Sequence, residues 1–262
     1  MMMKRLNRVL LCNDDGIDAP GMAVMERLAR YIAEEIWIVA PTQDRSGVSN
    51  SLSLREPIRI IRRGDHRYAV YGTPADCVAF AIEHLMRDTP PDLLLSGVNS
   101  GSNLGFETIL SGTVGAAMTG ALLGVPSIGL SQVRKPGGPM RWQTAEDHGV
   151  FVIHTLLKAT WTPHVCLSVN FPDINSEDVK GMKITTQGMG SVKGVSVVPV
   201  IDPTGEEYYW MRIKRGAPED HESSEAFAVD NGYIAVTPLD HERTSAESRN
   251  ALLEALSSIH QS

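Results

Sequence analysis

Residues 9–12, Val-Leu-Leu-Cys, form a continuous apolar run that ends abruptly in Asn13-Asp14-Asp15-Gly16. A run without polar alternation is that of a strand buried on both faces, as in parallel sheets covered by helices. In open α/β sheets ligands bind beyond the carboxyl ends of the strands, so the Asn-Asp-Asp-Gly turn falls where chemistry is expected. Two neighbouring carboxylates in a semi-buried crevice repel each other unless a cation holds them. A hard divalent ion bound through oxygen, Mg²⁺ or Mn²⁺, answers that repulsion. The plainer alternative is a polar turn in which Asp15-Gly16 reverses the chain and Asp14 caps the next helix.

The rest of the first two thirds repeats the same rhythm. Apolar residues at 3–4 spacing (Met22, Met25, Leu28, Ala29, Ile32) predict a helix over 21–33, and 36–40 is the next strand, ended by Pro41. Residues 58–61 and 68–71 flank Gly64-Asp65 and read as a β-hairpin with a basic tip. Pro74 opens a helix over 75–86, 92–95 is a short strand, 114–123 a Gly/Ala-rich helix and 126–130 a further strand. A Gly/Pro-rich loop at 135–139 precedes a helix over 144–159 and a strand over 165–169. Strands alternating with helices predict an α/β fold: a Rossmann-like three-layer αβα sandwich with a mostly parallel sheet and right-handed crossovers.

Beyond residue 182 that rhythm breaks. Segments 182–186, 195–200 and 207–213 look like strands without helices between them, and Asp202-Pro203-Thr204-Gly205 marks a turn, which predicts a long protruding hairpin. Tyr208, Tyr209 and Trp210 on that arm fit contact with another subunit better than packing on the chain's own core. Residues 246–259 read as a terminal amphipathic helix. The expected division is a catalytic core over 1–194 and, over 195–262, a hairpin arm, return strand and C-terminal helix used in oligomerisation.

Composition bounds the partners. A hydrophobic content of 42% over 262 residues suits an ordinary globular chain with a substantial core, and a net charge of −7 argues against a nucleic-acid polymer as ligand. It leaves a small phosphorylated substrate open, because a bound cation inverts the local field. Cys12, Cys77 and Cys166 lack metal-site spacing and read as reduced core thiols in a cytoplasmic setting. No apolar stretch approaches the length of a membrane span, and the residues around Lys4 and Arg5 lack the apolar region of a signal peptide.

Two more loops follow strands, and a further turn opens a helix. Pro41-Thr42-Gln43-Asp44-Arg45-Ser46-Gly47-Val48-Ser49-Asn50 offers hydroxyl and amide oxygens, and alone it is also just a Gly-containing loop. The segment from Ser96 through Asn99 and Asn103 to Gly105 offers backbone N–H groups for close approach and Asn carbonyls able to ligate a metal. Leu110-Ser111-Gly112-Thr113 enters a small-residue helix, which is the physics of an anion site, or of ordinary N-capping by Ser111 or Thr113. No Gly-Lys-Ser/Thr follows, so it is not a P-loop. All four loops should converge on one sheet edge, with carboxylates and neutral oxygens around a metal and the helix start beside it for phosphate. That constellation suits metal-assisted phosphoryl transfer to water.

Together with Tyr71-Gly72-Thr73-Pro74-Ala75-Asp76-Cys77, Val169-Asn170-Phe171-Pro172, Tyr209-Trp210 and Thr237-Pro238-Leu239, these loops resemble the SurE family of stationary-phase survival proteins, over about residues 8–240. The resemblance implies a metal-dependent 5′-nucleotidase, possessing one divalent ion (Mg²⁺ or Mn²⁺) per subunit and acting on nucleoside 5′- and sometimes 3′-monophosphates, with polyphosphate in some cases. It implies Asp14, Asp15, Ser46 and Asn99 as metal ligands, Asp14 and Asp15 as catalytic, and Asn103, Ser111, Gly112 and Thr113 as substrate contacts. It also implies dimers or tetramers built through the arm and C-terminal exchange. One departure is Ser224-Glu225 where the family has Thr-Asp, and the 214–223 stretch looks like an insertion.

The expected chemistry is attack by an activated water, with Asp14 or Asp15 taking its proton. A covalent phospho-Asp14 lacks the usual Asp-x-Asp pattern. None of the eight His lies in a motif loop, and a lone His such as His154 is more often structural. Two other readings use the same crevice: a nucleotide sensor without turnover, and a polyphosphate or sugar phosphate phosphatase.

Overall fold

The computed structural model describes residues 5–135, 137–217 and 221–259. The central strand β1 (Leu6–Cys12) pairs in parallel with β2 (Ala33–Pro41) on one side and with β5 (Leu93–Ser100) on the other. Its apolar run is buried on both faces: Val9 and Leu11 join one core cluster, while Leu10 and Cys12 join the other. That explains the absence of alternation in the sequence.

Helices α1 (Pro20–Ile32) and α5 (Trp142–Leu156) cover the first face, and α2 (Pro74–Phe80) and α4 (Gly112–Leu122) cover the second. The described residues form a nine-stranded sheet. Beyond β2 come β4 (Arg67–Tyr71) and the antiparallel edge β3 (Arg59–Gly64). Beyond β5 come β6 (Ser127–Gln132), β7 (Cys166–Phe171), β11 (Ile234–Leu239) and β8 (Met182–Ile184). The chain leaves β1 toward one edge and later returns at β5 to build the other. The switch point therefore lies between β1 and β5, where α/β sheets bind ligands.

The α/β expectation holds, and most element bounds lie within two or three residues of those expected. The helix expected over 75–86 ends α-helical geometry at Phe80 and continues as one π turn, Ala81–Leu85. Strand β5 runs five residues past its apolar stretch, through a register shift between Ser96 and Asn99 where it pairs with β6. Two short helices were not legible, α3 (Glu107–Leu110) and α6 (Glu225–Asp230).

The hairpin is β9 (Val192–Ile201) with β10 (Glu207–Arg215), a separate antiparallel pair whose Tyr208, Tyr209 and Trp210 are each more than half exposed. Packing of these rings on the chain's own core is thereby ruled out. The return strand β11 belongs to the main sheet, antiparallel to β7. Helix α7 (Ala246–Ile259) carries exposed Leu252, Leu253 and Leu256. Within the insertion-like 214–223 stretch, residues 218–220 lie outside the described residues, as do residues 1–4 and 136. Cys12, Cys77 and Cys166 are free and buried.

Candidate functional site

The four loops meet at the switch point, and the contacts between them are specific. Asp14, following β1, is buried against the start of α4: Thr113 Oγ1 donates a short hydrogen bond to Asp14 Oδ1. Gly112 is what permits this approach, since a Cβ there would lie 2.7 Å from Asp14 Cβ and 2.9 Å from its Oδ2. Asp15 turns toward the end of β5, where Oδ2 accepts the Ser100 N–H at 3.0 Å. The register shift of β5 against β6 falls between Ser96 and Asn99, just before that N–H.

The loop after β2 is laced to both neighbours. Arg45 N–H donates to the Asp14 carbonyl at 2.7 Å, so Ser46 follows directly on the residue tied to Asp14, and Ser46 N–H donates to Asp44 Oδ1. Ser49 N–H and Oγ donate to the carbonyls of Leu110 and Ile109 at the end of α3. Asp76 holds the loop from beneath: it accepts Ser53 N–H and Oγ while closing a capping box with Thr73 at the start of α2. The Gly-Thr-Pro-Ala-Asp motif is thus a brace for the loop.

Asn99 donates its Nδ2 to the Gly101 carbonyl at 3.1 Å, which leaves Oδ1 as its remaining side-chain acceptor. Ser111 does cap α4, its Oγ accepting Val114 N–H at 3.0 Å, yet the same hydroxyl can still donate. Gly112 and Thr113 then present the positive helix end toward Asp14. Asn103 is placed differently from the others. It is buried, with its N–H on Asn170 Oδ1 and its Nδ2 on Ser131 Oγ, so both its donor groups serve the ends of β6 and β7.

Burial raises the Asp14 carboxyl to about 6, the neighbouring Asp15 charge adds to the rise, and Thr113 partly offsets it. Burial likewise raises Asp15, with Asp44 adding to the effect and the Ser100 N–H opposing it. Among the described residues, neither carboxylate has an Arg or Lys ion-pair partner, and no three His, Cys, Asp or Glu side chains gather into a metal-binding group, so any ion here would draw on neutral oxygens besides the two carboxylates. Two under-neutralised carboxylates, on residues hydrogen-bonded to the chain neighbours of Ser46 and Asn99, offer hard oxygens of the kind that suits Mg²⁺ or Mn²⁺. His154 is buried on α5, where burial holds its imidazole below the usual range, in keeping with a structural role.

Two features were not legible in sequence. A cleft of about 530 Å³ opens beside Asp15 and Ser100, lined also by Thr42, Gln43, Met140 and Trp142. The last two come from the Gly/Pro-rich loop and the start of α5, some forty residues beyond β5. The second is a pair of buried carboxylates that fix the loop following β5. Glu107 Oε2 accepts from Ser102 Oγ and Leu104 N–H, and the same side chain pairs with Arg215 at the base of the hairpin. Glu225 accepts Gly105 N–H at 2.6 Å and Gly188 N–H at 2.8 Å, from the first turn of α6 capped by Ser224. The Ser-Glu departure therefore sits at the joint between site loop and arm.

A family model described as Survival protein SurE matches residues 9–194. A 5′-nucleotidase SurE 1 from Burkholderia lata is 54% identical over 238 residues, covering 91% of this chain and 92% of its own. A 5′-nucleotidase SurE from Methylobacterium sp. is 41% identical over 251 residues, covering 95% and 99%. The crystal structure of a SurE protein from Aquifex aeolicus superposes with a TM-score of 0.78 at 34% identity, over 93% of this chain and 97% of that one.

Proposed function

The chain belongs to the SurE family, and on that footing we propose that it is a metal-dependent 5′-nucleotidase that hydrolyses nucleoside 5′-monophosphates to nucleoside and phosphate. The observation that carries the reading is the pairing of Asp14 with the α4 start and of Asp15 with the β5 end across the switch point. Asp14, Asp15, Asn99 and Ser46 would hold one divalent cation, Mg²⁺ or Mn²⁺. When bound, such a cation supplies charge neutralisation and Lewis-acid polarisation of phosphate and water.

The chain's own groups do the rest. The N–H groups of Gly112 and Thr113 and the Ser111 hydroxyl lie at the positive end of α4 and bind phosphate oxygens, which fixes the phosphorus beside the carboxylates. Asn103 contributes by holding the loop through Asn170 and Ser131. In the reaction a water oxygen bonds to phosphorus and gives up a proton, the ester P–O bond breaks, and the leaving nucleoside oxygen takes up the proton that the water released, passed on through the accepting carboxylate. Asp15 is half-buried and open to the cleft, so it is placed to accept the proton lost by the water; Asp14, gripped by Thr113, fixes the geometry.

Residues 195–262 serve self-association. The exposed aromatic face of β10 and the exposed leucines of α7 are surfaces that a second copy of the chain would cover to form a dimer or tetramer. Among the described residues no helix is long and apolar enough to cross a membrane.

Phosphate release from AMP and GMP tests this reading, measured with Mn²⁺ or Mg²⁺ and again with EDTA. Metal-stimulated release supports it; tight nucleotide binding without release would favour a sensor. Asp15→Asn should lower kcat/KM at least a hundredfold, the size of effect that losing a ligand and proton acceptor together produces. Near-normal activity of that variant under saturating Mn²⁺ removes Asp15 from the mechanism.

A further inference from the structure

The cleft beside Asp15 has a wall that phosphate chemistry does not use. At about 530 Å³ it is of the size that takes a small organic ligand, larger than a phosphate alone requires. Trp142 forms part of that wall from the first position of α5, and Met140 stands next to it. The indole is half-buried: it packs against the core under α1 and also borders the cleft. Its position relative to the site is set by Gly21. A Cβ on Gly21 would lie 1.9 Å from the Val98 carbonyl and 3.2 Å from Trp142 Cη2, so the indole edge, the first turn of α1 and the end of β5 meet at one point. Val98 directly precedes Asn99, and Asp15 lines the same cleft.

Asp15 lines this cleft together with Trp142, so a phosphate ester seated at Asp15 has the cleft beside it to receive its ester group. We propose that Trp142, backed by Met140, is the platform on which the substrate's nucleobase stacks, and thus the residue that separates nucleotides from phosphate esters lacking a base. This rests on the nucleotidase reading. An indole face and a thioether offer a flat, polarizable apolar surface without a hydrogen-bond pattern. Such a surface accepts every base, because each has a π-face, and discriminates against a bare sugar phosphate. Purines, with the larger ring area, are the expected preference.

The test is the ratio of kcat/KM for AMP to that for ribose 5-phosphate, in saturating Mn²⁺, for wild type, Trp142→Ala and Trp142→Phe. The ratio should fall roughly 5- to 100-fold in Trp142→Ala, chiefly through KM for AMP, and recover largely in Trp142→Phe. An equal loss on both substrates, or an unchanged ratio, overturns the proposal. A second readout does not need turnover: AMP should quench tryptophan fluorescence of the wild type more than ribose 5-phosphate does, and Trp142→Phe should abolish that difference. Quenching that persists in Trp142→Phe overturns the proposal. Wild-type protein that quenches through Trp142 but releases no phosphate from AMP would leave the platform standing and remove the nucleotidase reading instead.

Discussion

Replacing Gly112 with alanine isolates what the start of α4 does for Asp14. Gly112 has no left-handed backbone conformation to maintain, so its backbone does not exclude alanine. Space is the obstacle. The added methyl would sit 2.7 Å from Asp14 Cβ and 2.9 Å from Oδ2, whereas ordinary contact begins near 3.4 Å. Either the carboxylate or the first turn must therefore move by roughly 0.7 Å, and Thr113, the residue bonded to Asp14, lies in that turn. Misplacement by about 1 Å costs on the order of a hundredfold in rate where reacting groups must be aligned. The expected result for Gly112→Ala is a ten- to hundredfold fall in kcat/KM for AMP and weaker Mn²⁺ binding, with a melting temperature lowered by only a few degrees. Activity and cation affinity within twofold of wild type would refute the claim that this helix start positions Asp14.

Asp14 also predicts a pH dependence. Its folded-state value of about 6 lies above its ordinary 3.8, so the folded chain binds this proton more tightly than the unfolded one. The resulting stability is fully present below pH 3.8 and is lost as pH rises through 6, about 3 kcal/mol in total. In EDTA the melting temperature should therefore drop between pH 4 and 7 more steeply for wild type than for Asp14→Asn, and added Mn²⁺ should restore more at pH 7 than at pH 4.5; equal slopes would contradict the assignment. Glu225→Gln should cost about 1–3 kcal/mol, since Gly105 and Gly188 donate to different carboxylate oxygens and an amide sets an NH₂ donor against one of them, and it should raise KM by loosening the loop after β5; a thermal melt and KM both unchanged would show that the joint is not needed.

How much of this could be read from the letters depends on the range over which each residue acts. The β1 run and the helix over 21–33 were legible because buried strands and amphipathic helices have local periods. The convergence of Asp14 with Thr113, ninety-nine residues apart, followed from topology, because strand ends of one parallel sheet share an edge. The course of β5 beyond Leu95 was hidden because its polar, Gly-containing end reads as a loop, while pairing with β6 keeps it extended. Helix α6 was hidden because six residues carry too little period, and Glu225 looks like a surface residue until the two N–H groups it accepts are brought to it. The pairing of the Asn103 donors with Asn170 and Ser131 was hidden, because those partners lie 67 and 28 residues away. The Met140–Trp142 wall has no local signature, since only the packing of α5 on α1 carries it to the site.

Calorimetric titration of the EDTA-stripped protein with Mn²⁺ tests the central claim most directly, run on wild type, Asp15→Asn and Asn99→Ala at neutral pH. The account predicts one ion per chain in wild type, at least a hundredfold weaker binding in Asp15→Asn, and measurable weakening in Asn99→Ala. Wild-type stoichiometry and affinity in Asp15→Asn, or no Mn²⁺ binding by the wild type at all, would contradict a cation held between the ends of β1 and β5.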